Sequence, residues 1–332
     1  MKYVYVVISD NDDIYLKQAA VSIMSLLYHQ ANAEIILLTD HATIENNAKH
    51  MDFFVNRSVK IREVDIPDKY SGGVRSRFIK SNLYEYINDD FLFIDSDTIV
   101  CSPLTDISES KALLGAVPDM HFTIDESPAK NFFCENADKL GYHMGWNNLH
   151  FNSGVLYVHR CTETKAFFQT WHKLWLESME KGVFYDQTSF NEANFRAEGL
   201  ITELDGVWNC QLQQSSNSLC YLYNAKILHY IYSFTCDSPY DLVLLKLLEK
   251  WDWNADNDEI WEIIHSPKTA FLSVTGYITS IEDDIIYKSF AYHGLRRFYN
   301  KHQRGFVDID ATFWKSYNKL KKLKKNRAKI IE

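Results

Sequence analysis

Two carboxylates flank Ser96, Asp95 before it and Asp97 after it, directly behind the apolar run Phe91-Leu92-Phe93-Ile94 and ahead of Thr98-Ile99-Val100. A run of that length and character reads as a buried strand, and open α/β sheets bind their ligands beyond the carboxyl ends of strands. A pair of carboxylates there suits a hard cation that bridges phosphate oxygens. The same spacing recurs at Asp10-Asn11-Asp12, Asp256-Asn257-Asp258 and Asp308-Ile309-Asp310. Context separates the copies, because only the one at Asp95 follows a hydrophobic strand.

Other residues offer complementary chemistry. The turn Ser71-Gly72-Gly73-Val74-Arg75-Ser76-Arg77 carries two guanidinium groups able to meet a phosphate or a sugar hydroxyl, although either alone would be an ordinary surface charge. Asp119, Asn152 before Gly154, and the pair Asp186-Gln187 are carboxylates and amides of the kind that orient several hydroxyls at once. Taken singly, Asp186 also fits a helix cap before Thr188-Ser189-Phe190, and Asp12 or Asp13 fits a cap for a helix near Tyr15. His229 is either a hydrogen-bonded histidine closing a strand or an imidazole ligand.

These groups must be positioned by a regular scaffold. Tyr3 to Ile8 and Glu34 to Thr39 read as buried strands, Val59 to Ile66 as a half-buried one, and Phe91 to Ile94 as the strand bearing the acidic pair. Helical spacing from Tyr15 to Leu27 and from Phe78 to Ile87 alternates with them, giving a β-α-β-β-α-β pattern, an α/β fold. Further strands are expected at Leu113 to Val117, Gly154 to Val158, Ile201 to Leu204 and Ile227 to Ile231, with helices over Lys165 to Met179 and Gln187 to Phe195. The segment Phe122 to Asn148 lacks clear periodicity and reads as a lid or binding loop, with a helix as the alternative. After Ser238-Pro239 the sequence turns to amphipathic helical pieces, so a boundary near residue 240 separates a domain over 1–240 from a mainly helical extension over 241–332.

The order of strand, acidic pair, Phe151-Asn152-Ser153-Gly154, Asp186-Gln187 and Leu228-His229-Tyr230 resembles glycosyltransferase family 8 over roughly residues 1–235. These are retaining enzymes of the GT-A fold, a Rossmann-like mixed sheet flanked by helices, that take sugar from a UDP donor. The resemblance implies that Asp95, Asp97 and His229 hold a divalent ion, for which mixed carboxylate and imidazole ligation suits Mn²⁺ better than Mg²⁺. It implies that Asp10 and Asn11 hold uracil and ribose, with Ser9 standing where an acid is common, and it selects Arg77 over Arg75. Ser96 completes the motif, Asp119, Asn152 and Asp186 correspond to donor-sugar and acceptor contacts, and Gln187 lies near the reacting face. An amide is a poor nucleophile, so same-face attack by the acceptor hydroxyl is expected, with Asp186 as the alternative nucleophile. One departure from the family is evident. Family members often continue the histidine as His-x-x-Gly-x-x-Lys-Pro, whereas His229 is followed by Tyr230-Ile231-Tyr232-Ser233-Phe234-Thr235 with neither glycine nor lysine in place, so either diphosphate binding rests more on the metal and Arg77, or this loop closes differently, or donor hydrolysis is slow.

The implied reaction moves glucose or galactose from UDP-glucose or UDP-galactose to a hydroxyl of a glycan, glycolipid or glycoprotein. Two rivals are a non-catalytic partner retaining the fold and a metal-dependent phosphohydrolase using Asp95 as nucleophile. The latter leaves Asn152, Gln187 and His229 unexplained. A net charge of −9 over 332 residues argues against a general nucleic-acid binder. Six cysteines without a Cys-x-x-Cys pair, no signal-like amino terminus and no run of membrane-spanning length point to the cytoplasm, free or at the inner face of the membrane. The tail from Lys315 to Lys329 sets basic residues beside Phe313, Trp314, Tyr317, Leu320 and Leu323. It reads either as a membrane-surface helix or as a terminal helix packed on the body.

Overall fold

The central strands are apolar on both faces because helices cover both. In the computed structural model, which describes residues 1–10, 14–212, 216–230, 243–267 and 289–301, β1 (Lys2–Val6) sends Tyr3 and Tyr5 into one core and Val4 and Val6 into another. Helix α1 (Tyr15–His29) leads to β2 (Ile35–Thr39), then α2 (His41–Asn46), α3 (Ala48–Val55) and β3 (Lys60–Glu63). Next come α4 (Gly73–Ser81), α5 (Leu83–Tyr86), β4 (Phe91–Ile94) and β5 (Thr98–Val100). After them run β6 (Leu114–Ala116), β7 (Pro118–Thr123), α6 (Lys130–Leu140), β8 (Leu149–Phe151) and β9 (Val155–Val158). The long helix α7 (Thr162–Glu180) and α8 (Asp186–Arg196) precede β10 (Ile201–Glu203), β11 (Cys210–Gln211), α9 (Leu219–Leu222) and β12 (Ile227–His229).

Seven strands form the main sheet in the order β10-β6-β9-β4-β1-β2-β3. All neighbours are parallel except β9, which runs against both β4 and β6. Ile94 pairs with Val155, so the chain leaving β4 meets the chain entering β9, and Asp95 N donates to Gly154 O at 2.8 Å. A second sheet, β11-β12-β5, pairs His229 with Thr98, and Tyr230 N donates to Asp97 O at 3.1 Å. These two registers bring three distant stretches of sequence to one strand edge.

Two expectations change in detail. The helix expected from Phe78 begins five residues earlier, at Gly73, and breaks at Asn82, so Arg75 and Arg77 sit on its first two turns instead of ahead of it. Gly72 precedes it at φ +52°, a left-handed conformation that glycine adopts freely. The stretch from Phe122 to Asn148, expected as a loop, contains the end of β7 and the helix α6. That helix buries only Phe133, Ala137 and Leu140 and ends at Gly141 in a left-handed cap. Its thin apolar stripe, diluted by charge, explains why its periodicity is faint.

Helices α10 (Val243–Lys250) and α11 (Asp258–His265), with Trp251 between them, place Leu248, Trp251, Ile260 and Ile264 in the same core as α1 and β1. Contacts divide the chain into a unit over Met1–Thr279 and a second over Ser280–Glu332, whereas the change of sequence character lies near 240. The second unit contributes helix α12 (Phe290–Lys301). Asn11, the segment 231–242 and the basic tail lie outside the described residues. No described helix is long and apolar enough to cross a membrane.

Candidate active site

Beyond the carboxyl ends of β1 and β4 lies a cleft of about 720 Å³. Asp95, Ser96, Asp97 and His229 face it from one side, and Asp186, Gln187 and Arg77 contribute from α8 and α4. One ligand atom from each of Asp95, Asp97 and His229 lies within 4.8 Å of the others, a separation that a single ion can span. His229 Nε2 stands 3.2 Å from Asp97 Oδ1.

The imidazole is oriented by a buried relay. His229 Nδ1 donates to Asn209 Oδ1 at 2.9 Å, Asn209 Nδ2 donates to Asn152 Oδ1 at 3.0 Å, and Asn152 Nδ2 donates to Asp119 Oδ1 at 2.9 Å. Fixing the proton on Nδ1 leaves Nε2 its lone pair for a metal, the arrangement that supporting groups give histidine ligands. Asn152 also accepts from Gly154 N at 2.8 Å.

Gly154 shows how closely the site is built. A Cβ there would stand 2.4 Å from His229 Cε1 and 2.9 Å from Asp95 Oδ2, so no larger residue fits without moving a ligand. The donor set of two carboxylates and one imidazole, converging beside that glycine, fits a divalent ion such as Mn²⁺.

Lys80, one turn beyond Arg77, couples the acidic groups. Its Nζ donates to both oxygens of Asp95, at 3.0 and 3.2 Å, and lies 3.7 Å from Asp186 Oδ2. Arg77 Nε is 3.5 Å from Asp186 Oδ1, and Ser153 Oγ donates to Asp186 Oδ2 at 3.0 Å. Burial opposes charge on Asp186, but Lys80 and Arg77 outweigh it and hold the carboxyl below its usual range. For Asp95, burial together with the neighbouring Asp97 raises the carboxyl despite Lys80. Burial would lower His229, yet the Asp97 carboxylate reverses the direction and raises it. Such a cluster of opposed shifts in one cleft is characteristic of a functional site.

The remaining expected residues divide. Asp119, Asn152 and Gln187 line the cleft, Asp119 and Asn152 as members of the relay. Arg77 reaches the cleft, whereas Arg75 turns away from the acidic centre to pair with Asp40 at 2.6 Å and Asp10 at 3.0 Å. Asp10 lines the cleft's edge, and Asn11 lies outside the described residues. Sequence reasoning passed over Lys80, Ser153 and Asn209. Lys80 had a signal in its three-residue spacing from Arg77 on one helix, whereas nothing marked Asn209. It also passed over the aromatic rim, where Phe132, Phe184 and Tyr185 are 41%, 49% and 49% exposed and line the cleft. Tyr185 packs edge-on to Phe132 and lies under the Arg77 guanidinium.

Comparison with solved structures returns the same architecture. The galactosyltransferase LgtC, solved with donor and acceptor sugar analogues, aligns at a TM-score of 0.51 and 17% identity over 80% of this chain and 96% of its own. The bifunctional glycosyltransferase WbbM, in its apo form, aligns at a TM-score of 0.50 and 18% identity over 70% of this chain. The alignment covers 46% of WbbM, so this chain spans about half of that protein. At such identities the likeness shows the fold, which is GT-A. No sequence among curated proteins matches this chain in a direct comparison. The profile of glycosyl transferase family 8 matches residues 6–234, well over half of the sequence, from the end of β1 past His229. The chain therefore belongs to glycosyltransferase family 8.

Proposed function

We propose that this glycosyltransferase moves a hexose, glucose or galactose, from a UDP donor to a hydroxyl of a glycan, glycolipid or glycoprotein, with retention at the sugar carbon. The observation that carries this reading is the convergence of Asp95, Asp97 and His229 on one point of the cleft that also holds Gln187 and the ion-paired Asp186. A divalent ion held there, Mn²⁺ by its ligands, would supply Lewis-acid stabilisation of the departing diphosphate. Asp10 at the cleft's edge serves the nucleoside, together with Asn11 by family resemblance. Arg77 serves the diphosphate or the sugar.

Asp186 is a poor candidate for a free nucleophile because Lys80, Arg77 and Ser153 already engage its oxygens. We assign it to orienting a donor hydroxyl and fixing Arg77. Gln187 then faces the reacting carbon, and the acceptor hydroxyl attacks from the side the diphosphate leaves, giving its proton to a phosphate oxygen. The exposed rim of Phe132, Phe184 and Tyr185 offers flat apolar surface against which an acceptor sugar can stack. The phosphohydrolase alternative leaves Asn152, Gln187 and His229, which line the same cleft, without a role. We place the reaction in the cytoplasm.

The direct test is hydrolysis of a panel of UDP-sugars with and without Mn²⁺, which needs no knowledge of the acceptor. Metal-dependent release of UDP from one hexose donor is expected. Metal-independent release would remove the ion from the reaction, and no release from any donor alongside tight UDP binding would favour the non-catalytic reading. Gln187→Ala should lower turnover about a hundredfold while leaving UDP affinity nearly unchanged. Asp186→Asn should raise the Michaelis constant of the donor. Equal losses of UDP affinity in both variants would remove this segment from the reaction centre.

A further inference from the structure

One side chain of the cleft wall belongs neither to the acidic centre nor to the amide relay. His150 of β8 lines the cleft, and so does Asn152 two residues on, whereas Phe151 between them packs into the core on the other side of the strand. The His150 ring is 4% exposed and is held from two directions. Phe133 of α6 stacks on it with ring centroids 3.9 Å apart and planes 15° from parallel. Its Nδ1 meets the carbonyl of Met144. Met144 leads into a tight turn, closed by Trp146 N donating to Leu149 O at 3.1 Å and Leu149 N donating to Trp146 O at 2.9 Å. A Cβ on Gly145 would stand 2.0 Å from Leu149 O, so only glycine lets the turn close and carry that carbonyl to the ring.

A carbonyl oxygen can only accept, so Nδ1 carries a proton. Burial holds the ring below the usual histidine range, against the pull of Asp119 and of the Met144 carbonyl, and the neutral ring keeps a bare lone pair on Nε2. Among the described residues no group donates to Nε2, and the atom is not sealed from solvent. Such a nitrogen takes a narrow class of partner. It needs a hydrogen, and the neighbouring Asp119 carboxylate is an acceptor too. A sugar hydroxyl supplies that hydrogen, whereas a carboxylate or phosphate oxygen supplies none and is repelled by Asp119. Depth selects the sugar. Phe132, Phe184 and Tyr185 stand half-exposed at the rim, open to an acceptor arriving from solvent, while His150 lies buried against Phe133 where a donor already seated in the cleft would reach it.

We propose, on the reading that the donor is a UDP-hexose, that His150 is a specificity-determining residue whose Nε2 accepts from one hydroxyl of the transferred sugar. A fixed ring with one unmet lone pair discriminates against a donor lacking that hydroxyl, because the nitrogen is then covered without a partner.

The test is a cycle between side chain and substrate, read as affinity by calorimetry on the full chain in Mn²⁺. The ligands are UDP, the preferred one of UDP-glucose and UDP-galactose, and its analogues lacking in turn the hydroxyl at carbon two, three, four or six. The parent should bind one deoxy analogue about tenfold more weakly than the hexose. His150→Phe, which can still stack on Phe133, should lose about as much affinity for the hexose, no longer distinguish it from that analogue, and bind UDP as the parent does. His150→Gln returns an acceptor near the place of Nε2 and should restore part of the preference. If His150→Phe fails to fold, His150→Leu carries the same comparison. A variant without the imidazole that keeps the parent's preference would overturn the assignment, and so would equal losses for UDP and for the hexose, which mark the ring as packing alone. A parent that binds UDP but gains nothing from any hydroxyl of the hexose would overturn this assignment while leaving the nucleotide site intact. A parent that binds no UDP would overturn the proposed function and this role of His150 with it.

Discussion

Asp95-Ser96-Asp97 and Asp256-Asn257-Asp258 carry the same carboxylates at the same spacing and do unrelated work. The first leaves a strand buried on both faces, and register with β9 and β12 delivers Gly154 and His229 beside it. The second opens α11, where Asn257 Oδ1 accepts from Ile260 N at 3.0 Å as a helix cap and Asp258 stands exposed in the first turn. A pair of acids becomes a candidate metal site only where the fold supplies a third ligand and removes water. At a helix start the same pair complements the terminal N–H groups and goes no further.

The largest effect should therefore separate the two copies. Asp97→Asn removes an ionic ligand and should abolish the response of UDP binding to Mn²⁺, with turnover falling about a thousandfold. Asp258→Asn should leave both within error of the parent. Titration of Mn²⁺ against UDP binding, in parallel with donor hydrolysis, measures this. If Asp97→Asn keeps the metal response, the comparison fails and the ion is held elsewhere.

Gly154→Ala probes the cradle without touching a ligand. Its Cβ must displace His229 Cε1 or Asp95 Oδ2. Turnover should fall about a hundredfold, the size expected when a ligand is moved rather than lost. Binding of UDP without metal should persist. Equal loss with and without Mn²⁺ would mean that the substitution distorts the nucleotide pocket instead.

Much of this arrangement was legible in the sequence, for physical reasons. The run Phe91 to Ile94 is a strand because nothing in it is polar, and a buried strand in an α/β fold ends at a ligand site. Gly154 and His229 could be named from motif order, but their contact could not, since it depends on strand register across separate sheets. Lys80 and Asn209 escaped because a lone lysine and a lone amide carry no pattern until the fold gives them buried partners. The break at Asn82 and the helix α6 escaped because both depend on tertiary packing more than on local propensity. Arg75 and Arg77 were equivalent in the sequence. On α4 they diverge, Arg75 toward Asp40 and Asp10 and Arg77 toward Asp186.

The imidazoles repeat the lesson of the carboxylates. Asp97 raises His229, whereas burial lowers His121 to about 4, with Asp205 too weak to compensate. His121 Nε2 accepts from Gln211 N at 3.1 Å, so the neutral ring is the one the fold requires. An unfolded histidine titrates near 6.5, and the unfolded chain therefore binds a proton first as pH falls. Stability from this group is unaffected above that value and declines down to about pH 4, by about 2 kcal/mol after allowing for partial exposure. His121 sits at φ +59°, so Asn, which tolerates the left-handed region, is the appropriate replacement. His121→Asn should narrow the difference in melting temperature between neutral and mildly acid buffer. An unchanged difference would show that the ring is already protonated or solvated in the folded protein.

The smallest effect belongs to the middle residue of the second acidic copy. Asn257→Ala removes the side-chain oxygen that accepts from Ile260 N and leaves a donor in the first turn of α11 without its cap. Loss of such a cap costs about 1 kcal/mol. Ile260, Ile263 and Ile264 carry that cost into the core they share with α1, so it should appear in global urea unfolding as a lower midpoint with an unchanged slope. Metal response, UDP affinity and donor hydrolysis should all stay at the parent's values. A loss of metal response in Asn257→Ala, with stability untouched, would reverse the roles assigned to the two copies. A fall in stability alone would show the same three-residue pattern acting as structure at one place and as chemistry at the other.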